Sequence, residues 1–301
     1  MLFLDESRVH DLLSLEALLP AMEEALIDFS RGRVHQPVRG IIPVPEHEGF
    51  FGYMPAVWGD IMGAKLVTLY PGNAARGLPT HLAMIQLLSA LTGEPLATMD
   101  GRLITELRTA AVSAVATRLL ARPNARVLAV LGSGVQADSH VRALRLVRKF
   151  DEIRVWSRSP ENAKRFAASV SGRAMGAEEA VRGADVVVTV TGSATPVLHG
   201  AWLADDTMVC AVGAVGPARR ELDDDAMRGS VVIDSRAAAA QEAGDLLLSN
   251  TPIYAELGEL LGRTKPLPTR GPIVFKSLGI AVEDLAAAKI VYQAAVRAGK
   301  P

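Results

Sequence analysis

The stretch "RVLAVLGSGVQADSH", Arg126 to His140, runs an apolar segment into Gly132-x-Gly134-x-x-Ala137 and then into residues that suit a helix. Each small residue answers a separate demand. Gly132 permits a tight turn, Gly134 lets the backbone come close to a pyrophosphate, and Ala137 lets a helix pack closely on a strand. Amides exposed at the start of that helix then face the phosphates. Alone, such a glycine pattern also fits an ordinary strand-to-helix turn. Here a strand precedes it, a helix follows and another strand comes at the expected distance, so it reads as a dinucleotide site, with Ser133, Val135 and Gln136 filling the loop.

That further strand is "EIRVWSRSPENAKRFA", Glu152 to Ala167, expected to end at Arg158 before a helix opened by Ser159 and Pro160. An acid at the tip would hydrogen-bond the ribose hydroxyls of NAD and repel a 2′-phosphate. Ser157 and Arg158 do the reverse, because a hydroxyl and a guanidinium fork suit a phosphate dianion. The predicted cofactor is NADP(H), with NAD(H) less favoured. Beyond it, "ADVVVTVT", "TMVCAVG" and "SVVIDS" alternate with helical or irregular segments. That alternation predicts an α/β, Rossmann-type doubly wound parallel sheet covered on both faces.

Upstream the style differs. Helical spacing of apolar residues from about Leu12 to Phe29 is followed by "GIIPVP", "GFFGYMPAVW" and "MGAKLVTLYPG", strands split by Gly and Pro. In "HLAMIQLLSALTGEPLATMDG" a turn at Thr92-Gly93-Glu94-Pro95 joins two apolar runs, which predicts an antiparallel sheet. A chain of 301 residues, 49% hydrophobic and 22% charged, suits two domains.

The net charge of −1 and the lack of a basic run argue against nucleic acid or anionic lipid as partners. Cys210 is the only cysteine, so no intrachain disulfide can form. In "MVCAVGA" it reads as a small packed thiol, not a nucleophile. The N-terminus lacks a basic n-region, and no apolar run reaches membrane-spanning length. The expectation is a soluble, cytoplasmic protein with no membrane partner and no metal site.

Three cations stand out in the first part: Arg39 after "HQPV", Lys65 inside "GAKLVTLY", and Arg108 in the small-residue helix "TELRTAAVSA". Taken singly, Lys65 also fits the wet face of its strand and Arg108 an exposed helix charge.

The ordered blocks "QPVRG", "KLVTLY", "LITELRTAAVSAVATR", "LGSGVQADSH", "VWSRSPENAKRFA", "GADVVVTVT", "RELDDDAM", "AELGELL" and "VFKSLGIAVEDLAAAK" resemble the ornithine cyclodeaminase/mu-crystallin family, most closely its ketimine-reductase branch. The resemblance covers nearly the whole chain. It implies a discontinuous, antiparallel α+β substrate-binding and dimerisation domain, residues 1–113 completed by 280–301, around a Rossmann domain at 114–279. It also implies a homodimer joined through the antiparallel sheets. By the same resemblance Arg39, Lys65 and Arg108 hold an amino-acid-like carboxylate and are the candidate catalytic set. Thr80, Thr109 and Ser113 line the cofactor–substrate cleft, with Thr80 on the substrate side. Ser277, Leu278 and Gly279 match a stretch near the nicotinamide, and Thr191, Val212 and Gly213 complete the cofactor set.

Two departures bear on the reaction. The cyclodeaminases have a glutamate where this chain has Gly52, and a catalytic aspartate where it has Val215. Deamination and ring closure lean on a positioned base, although water, Glu221 or Asp223 could stand in. Reduction of a preformed cyclic imine needs a held carboxylate, a proton on nitrogen and a hydride. The leading expectation is NADPH-dependent reduction of cyclic ketimine carboxylates, pyrroline-2-carboxylate or piperideine-2-carboxylate, to proline or pipecolate. The alternatives are ornithine cyclodeaminase or alanine dehydrogenase, and a non-catalytic, crystallin-like binder of a small ligand.

Overall fold

Trp58 pairs with Ile61 across Gly59-Asp60, and Gly59 stands at φ +59°, so two residues reverse the chain. Two-residue hairpin loops need such positive φ to match the twist of their strands. Gly93, at φ +79°, serves the turn expected at Thr92–Pro95. These turns belong to a computed structural model that describes residues 1–299. The chain divides into two units, Met1–Arg108 with the segment from Gly279 onward, and Thr109–Leu278.

In the first unit the elements are β1 (Leu2–Leu4), α1 (Glu6–Leu12), α2 (Leu15–Ser30), β2 (Val34–His35), β3 (Gly40–Val44), β4 (Gly49–Trp58), β5 (Ile61–Leu69), β6 (His81–Ser89) and β7 (Pro95–Asp100). Their sheet runs β1-β7-β6-β5-β4-β2, with β3 also on β4. Pairing is antiparallel except for β1, which lies parallel to β7. Ser14 caps α2 through the amide of Ala17, and Leu15, Leu18, Leu19, Met22, Ala25 and Leu26 form its buried stripe at helical spacing. One sheet face is buried through Met54, Ala56, Ile61, Ile85, Leu87 and Met99. On the other face Tyr53, Leu66 and Met84 lie side by side across β4, β5 and β6.

The helix α3 (Arg102–Leu120) begins in the first unit, where Asp100 accepts from the amide of Leu103, and the division falls inside it, after Arg108. In the second unit follow β8 (Val127–Leu131), α4 (Val135–Arg145), β9 (Glu152–Trp156), α5 (Pro160–Ser169), β10 (Arg173–Ala174), α6 (Ala177–Val181), β11 (Val186–Thr189), β12 (Met208–Ala211), β13 (Ser230–Ile233), α7 (Arg236–Glu242), α8 (Gly244–Ser249), β14 (Ile253–Glu256), α9 (Leu257–Leu261) and β15 (Ile273–Lys276). All eight strands pair in parallel, in the order β10-β9-β8-β11-β12-β15-β13-β14. The order reverses between β8 and β11, the topological switch where such sheets take a ligand beyond their carboxyl ends. The α/β, Rossmann-type reading is therefore borne out. The second strand ends at Trp156, two residues before Arg158, and Ser159 caps α5 as expected.

Back in the first unit, α10 (Ala281–Arg297) packs on β4, β5, β6 and α2. Its buried residues include apolar Val282, Leu285 and Val291, but also Glu283 and Asp284.

Candidate functional site

Lys65 pairs across the sheet with Met54 and Ile85, both buried, so strand alternation turns its side chain to the inner face. It is 3% exposed, as is Arg108. The solvated alternatives for both residues fall on that burial. Their partners come from the first turn of α10: Lys65 Nζ lies 2.7 Å from Asp284 Oδ2, Arg108 Nε lies 3.0 Å from Asp284 Oδ1, and Arg108 Nη1 lies 2.5 Å from Glu283 Oε2. Asp284 therefore bridges the lysine and the arginine. The start of a helix also favours negative charge.

Arg39 joins from the segment before β3, its Nη2 donating to the carbonyl of Gly279 at 2.7 Å. Gly279 stands at φ +76°, and a Cβ there would lie 2.3 Å from Arg108 Nη1. Both the backbone angle and the guanidinium exclude a side chain. Thus Gly279, expected among the cofactor residues, touches both arginines of the carboxylate set. Thr80 is exposed, and its carbonyl accepts from the amide of Tyr70.

His81 was absent from the sequence reading. It pairs with Leu69, and since Lys65, Val67 and Leu69 alternate onto one face, the imidazole shares the face of Lys65. Burial, then the charges of Lys65 and Arg108, push its pKa down to about 4, so it is neutral near pH 7. Lys65 is lowered to about 8, chiefly by burial, with Asp284 opposing the drop and Arg108 adding to it. Burial raises the Asp284 carboxyl, but Arg108 and Lys65 outweigh it and hold it below the usual carboxylate range. Gly52 lies on the same inner face, opposite Val67, so no carboxylate reaches the cluster from that position.

The five groups Arg39, Lys65, Arg108, Glu283 and Asp284 carry three positive and two negative charges. The surplus positive charge suits one added carboxylate, which two guanidinium forks and an ammonium can bind. Asp284 and Glu283 left a usable sequence signal: adjacent acids flanked by Val282 and Leu285 at the start of an otherwise small, apolar helix.

The second unit carries the nucleotide-type loop. Gly132 stands at φ +140°, where a Cβ would lie 2.8 Å from the carbonyl oxygen of Val190, whereas a Cβ on Gly134 would meet nothing within 4 Å. The first glycine is thus demanded by the turn. The second leaves open space for a phosphate. Ser133 donates to the hydroxyl of Ser157 at 2.9 Å, tying the loop to the tip of β9. A cleft of about 470 Å³ beside them is lined by Ser133, Gly134, Val135, Asn162 and Arg165 among others. Arg158 is exposed, with no hydrogen-bond or ion-pair partner among the described residues. Buried Gln136 Oε1 and Ser277 Oγ also lack partners, as polar groups reserved for a ligand would. These residues fit a dinucleotide.

Ser113 and Cys210 are occupied internally. The carbonyl of Gln136 can only accept from His140 Nδ1, at 2.7 Å, so Nε2 accepts from the Ser113 hydroxyl at 3.0 Å. Burial pushes the Cys210 thiol up to about 11, in keeping with its packed, non-nucleophilic reading. Thr109 is buried at the start of this unit.

Neither stand-in base is available. Glu221, wholly buried, accepts from the Thr189 hydroxyl, from the amide and hydroxyl of Thr191, and from the amides of Gly213 and Ala214, at 2.6 to 3.2 Å. It fixes the turns after β11 and β12, where Thr191, Val212 and Gly213 sit. A Cβ on Gly213 would lie 2.1 Å from the Thr191 carbonyl, so the turn requires glycine. Asp223 accepts from the amides of Gly200 and Ala226 and pairs with His199. Val215 packs on the core of the second unit. Buried Lys276, also missed, pairs with Asp245 at 2.9 Å, and Asp245 in turn receives the amides of Glu221 and Leu222. Leu278 donates its amide to Asp234 at 2.6 Å. Among the described residues no group of three or more His, Cys, Asp or Glu could hold a metal, and no helix is long and apolar enough to cross a membrane.

Residues 1–299 match the profile of the ornithine cyclodeaminase/mu-crystallin family. The chain is 48% identical to the ketimine reductase mu-crystallin of Mus musculus over 300 aligned positions, 96% of each chain. It is similar to a solved structure of Thermococcus litoralis Δ1-pyrroline-2-carboxylate reductase in complex with NADH and L-proline, with TM-score 0.94, 35% identity, and 100% and 99% of the two chains covered. An archaeal alanine dehydrogenase dimer with bound NAD matches with TM-score 0.94 and 32% identity, over 99% and 97%.

Proposed function

The chain belongs to the ornithine cyclodeaminase/mu-crystallin family, and on that premise we propose that it is an NADPH-dependent reductase of cyclic ketimine carboxylates, making proline or pipecolate from the five- or six-membered ring. The observation that carries the reading is the cluster of buried Lys65 and Arg108 with half-buried Arg39 around Glu283 and Asp284, with glycine at position 52 on its face. A monocarboxylate substrate neutralises the surplus charge. The mouse relative is a ketimine reductase, and the Thermococcus litoralis reductase holds L-proline, a monocarboxylate.

Arg39 and Arg108 bind the carboxylate and orient the ring, and Lys65 completes the clamp. When bound, the reduced nicotinamide supplies the hydride that adds to the imine carbon. As the C=N π electrons move to nitrogen, Lys65 Nζ gives up a proton to that nitrogen and recovers one from water. Its lowered proton affinity favours the transfer near neutral pH. Exposed, unpartnered Arg158 beside Ser157 supports NADPH over NADH.

The two carboxylates of the cluster are locked on cations, and Glu221 and Asp223 are committed to backbone amides, so amine deprotonation lacks a base. One preparation given ornithine with NAD, alanine with NAD, and each cyclic ketimine with NADPH tests the reading. Ketimine reduction is expected to dominate by about 10²-fold or more, the worth of a missing general base. Ammonia release from ornithine as fast as ketimine reduction would overturn it. The exposed row Tyr53, Leu82 and Met84, on the outer face of the antiparallel sheet, supports a homodimer joined through that face. The alanine dehydrogenase neighbour is itself a dimer.

A further inference from the structure

We propose that Asp284 is the positioning residue that couples proton delivery to substrate clamping: one carboxylate oxygen keeps Lys65 as the ammonium ion that protonates the imine nitrogen, and the other sets the angle of the Arg108 fork. The inference rests on the reductase reading and deepens it. The geometry is a bridge, Lys65 Nζ to Oδ2 at 2.7 Å and Arg108 Nε to Oδ1 at 3.0 Å, both inside the protein. Glu283, the neighbouring acid, touches Arg108 through Nη1, whereas Asp284 contacts both the lysine and the arginine.

The charged and titratable groups acting on Lys65 are Asp284 from α10, Arg108 from α3, Arg39 from the segment before β3 and His81 from β6. Across the sheet Met54 and Ile85 carry no charge. Asp284 is thus the acid that opposes burial and two guanidinium charges at this ammonium. Removing its charge leaves burial and the Arg108 and Arg39 charges, the largest remaining influences, pushing the proton off Lys65. In catalysis the hydride adds to carbon, the π pair becomes the nitrogen lone pair, an N–H bond forms as the Nζ–H bond breaks, and the nicotinamide is oxidised. Lys65 is left neutral beside the Asp284 carboxylate, which favours its reprotonation by water and resets the site.

The test is the pH dependence of ketimine reduction in wild type, Asp284→Asn and Glu283→Gln, with binding of pyrrole-2-carboxylate, a planar carboxylate that accepts no hydride. Asp284→Asn is expected to move the alkaline limb of kcat down by about one pH unit or more, and to weaken pyrrole-2-carboxylate at least tenfold. Glu283→Gln is expected to raise KM while leaving the limb in place. An unmoved limb in Asp284→Asn overturns the proposal, as does an equal shift in Glu283→Gln.

Should Asp284→Asn fail to fold, calorimetry on wild type decides. Pyrrole-2-carboxylate binding at pH 8, in two buffers of different ionisation enthalpy, is expected to take up a fraction of a proton, because an added anion favours the ammonium; no uptake overturns the proposal. Proton uptake in a protein that does not reduce ketimines would instead sink the reductase reading and leave the Asp284–Lys65 coupling standing.

Discussion

Arg108 reaches two acids with two of its nitrogens and lies against the Cα of Gly279, so its fork has little freedom to swing. A lysine in its place keeps the charge but loses the planar fork. Arg108→Lys is expected to raise KM for ketimine by about tenfold while NADPH affinity holds, as measured by fluorescence titration. Gly279→Ala should act in the same direction, since the new methyl would displace the guanidinium and the φ of +76° strains any side chain. If Gly279→Ala instead weakens NADPH and spares KM, Gly279 belongs to the nicotinamide side, as first expected. Arg158 tests the cofactor choice. On the proposed NADPH preference, its loss would remove a charge-assisted contact to the 2′-phosphate, a cost of about 1.5–3 kcal/mol, so Arg158→Ala should weaken NADPH roughly tenfold or more and barely change NADH. Wild type using both cofactors equally would contradict this.

At the scale of elements, α4 is tied to α3 through one imidazole. His140 is fully buried, and burial lowers its pKa to about 4 from an ordinary 6.5. The unfolded chain takes up a proton as pH falls below about 6.5, while the folded chain does so only near 4. Stability is therefore complete above 6.5 and is lost between those values, at about 1.4 kcal/mol per pH unit. His81, lowered to about 4 in the other unit, acts with the same sign. Melting temperature is expected to drop steeply from pH 6.5 to 4.5, and His140→Gln to flatten that drop at some loss of stability at pH 7.5. A slope identical to wild type would show that His140 does not carry the effect.

For the whole molecule, the proposed homodimer would join through the outer face of the antiparallel sheet. Met84 is 47% exposed and Leu82 44%, both on β6, with Tyr53 at 42% on β4. A charge at an exposed position costs the monomer roughly 0.5 kcal/mol or less, but two copies of it inside a dimer interface are costly. Met84→Arg is expected to shift the protein from dimer to monomer in sedimentation without lowering NADPH binding. An unchanged dimer would move the interface to another surface.

The sequence by itself determined what neighbouring residues can dictate. Gly132 and Gly134 declare a loop whose demands lie within a few positions, and alternation of apolar runs with helical segments fixed a parallel sheet beyond Arg126. The turn at Gly93 announced the antiparallel hairpin of β6 and β7. Tertiary structure alone decided the state of the cations. Arg108 and Asp284 are 176 positions apart, and nothing local tells that the first turn of the last helix enters the cluster. The apolar flanks of Glu283 and Asp284 mark them as unusual on sequence, but the helix dipole would favour acids there in any case, so the signal does not say what they meet. The same limit hid the role of Glu221, whose five donors come from the last residue of β11 and from the turns after β11 and β12, and it left Lys65 undecided between water and core. A strand's alternation tells which residues share a face, but only the packing of α10 on β4 to β6 made that face the buried one.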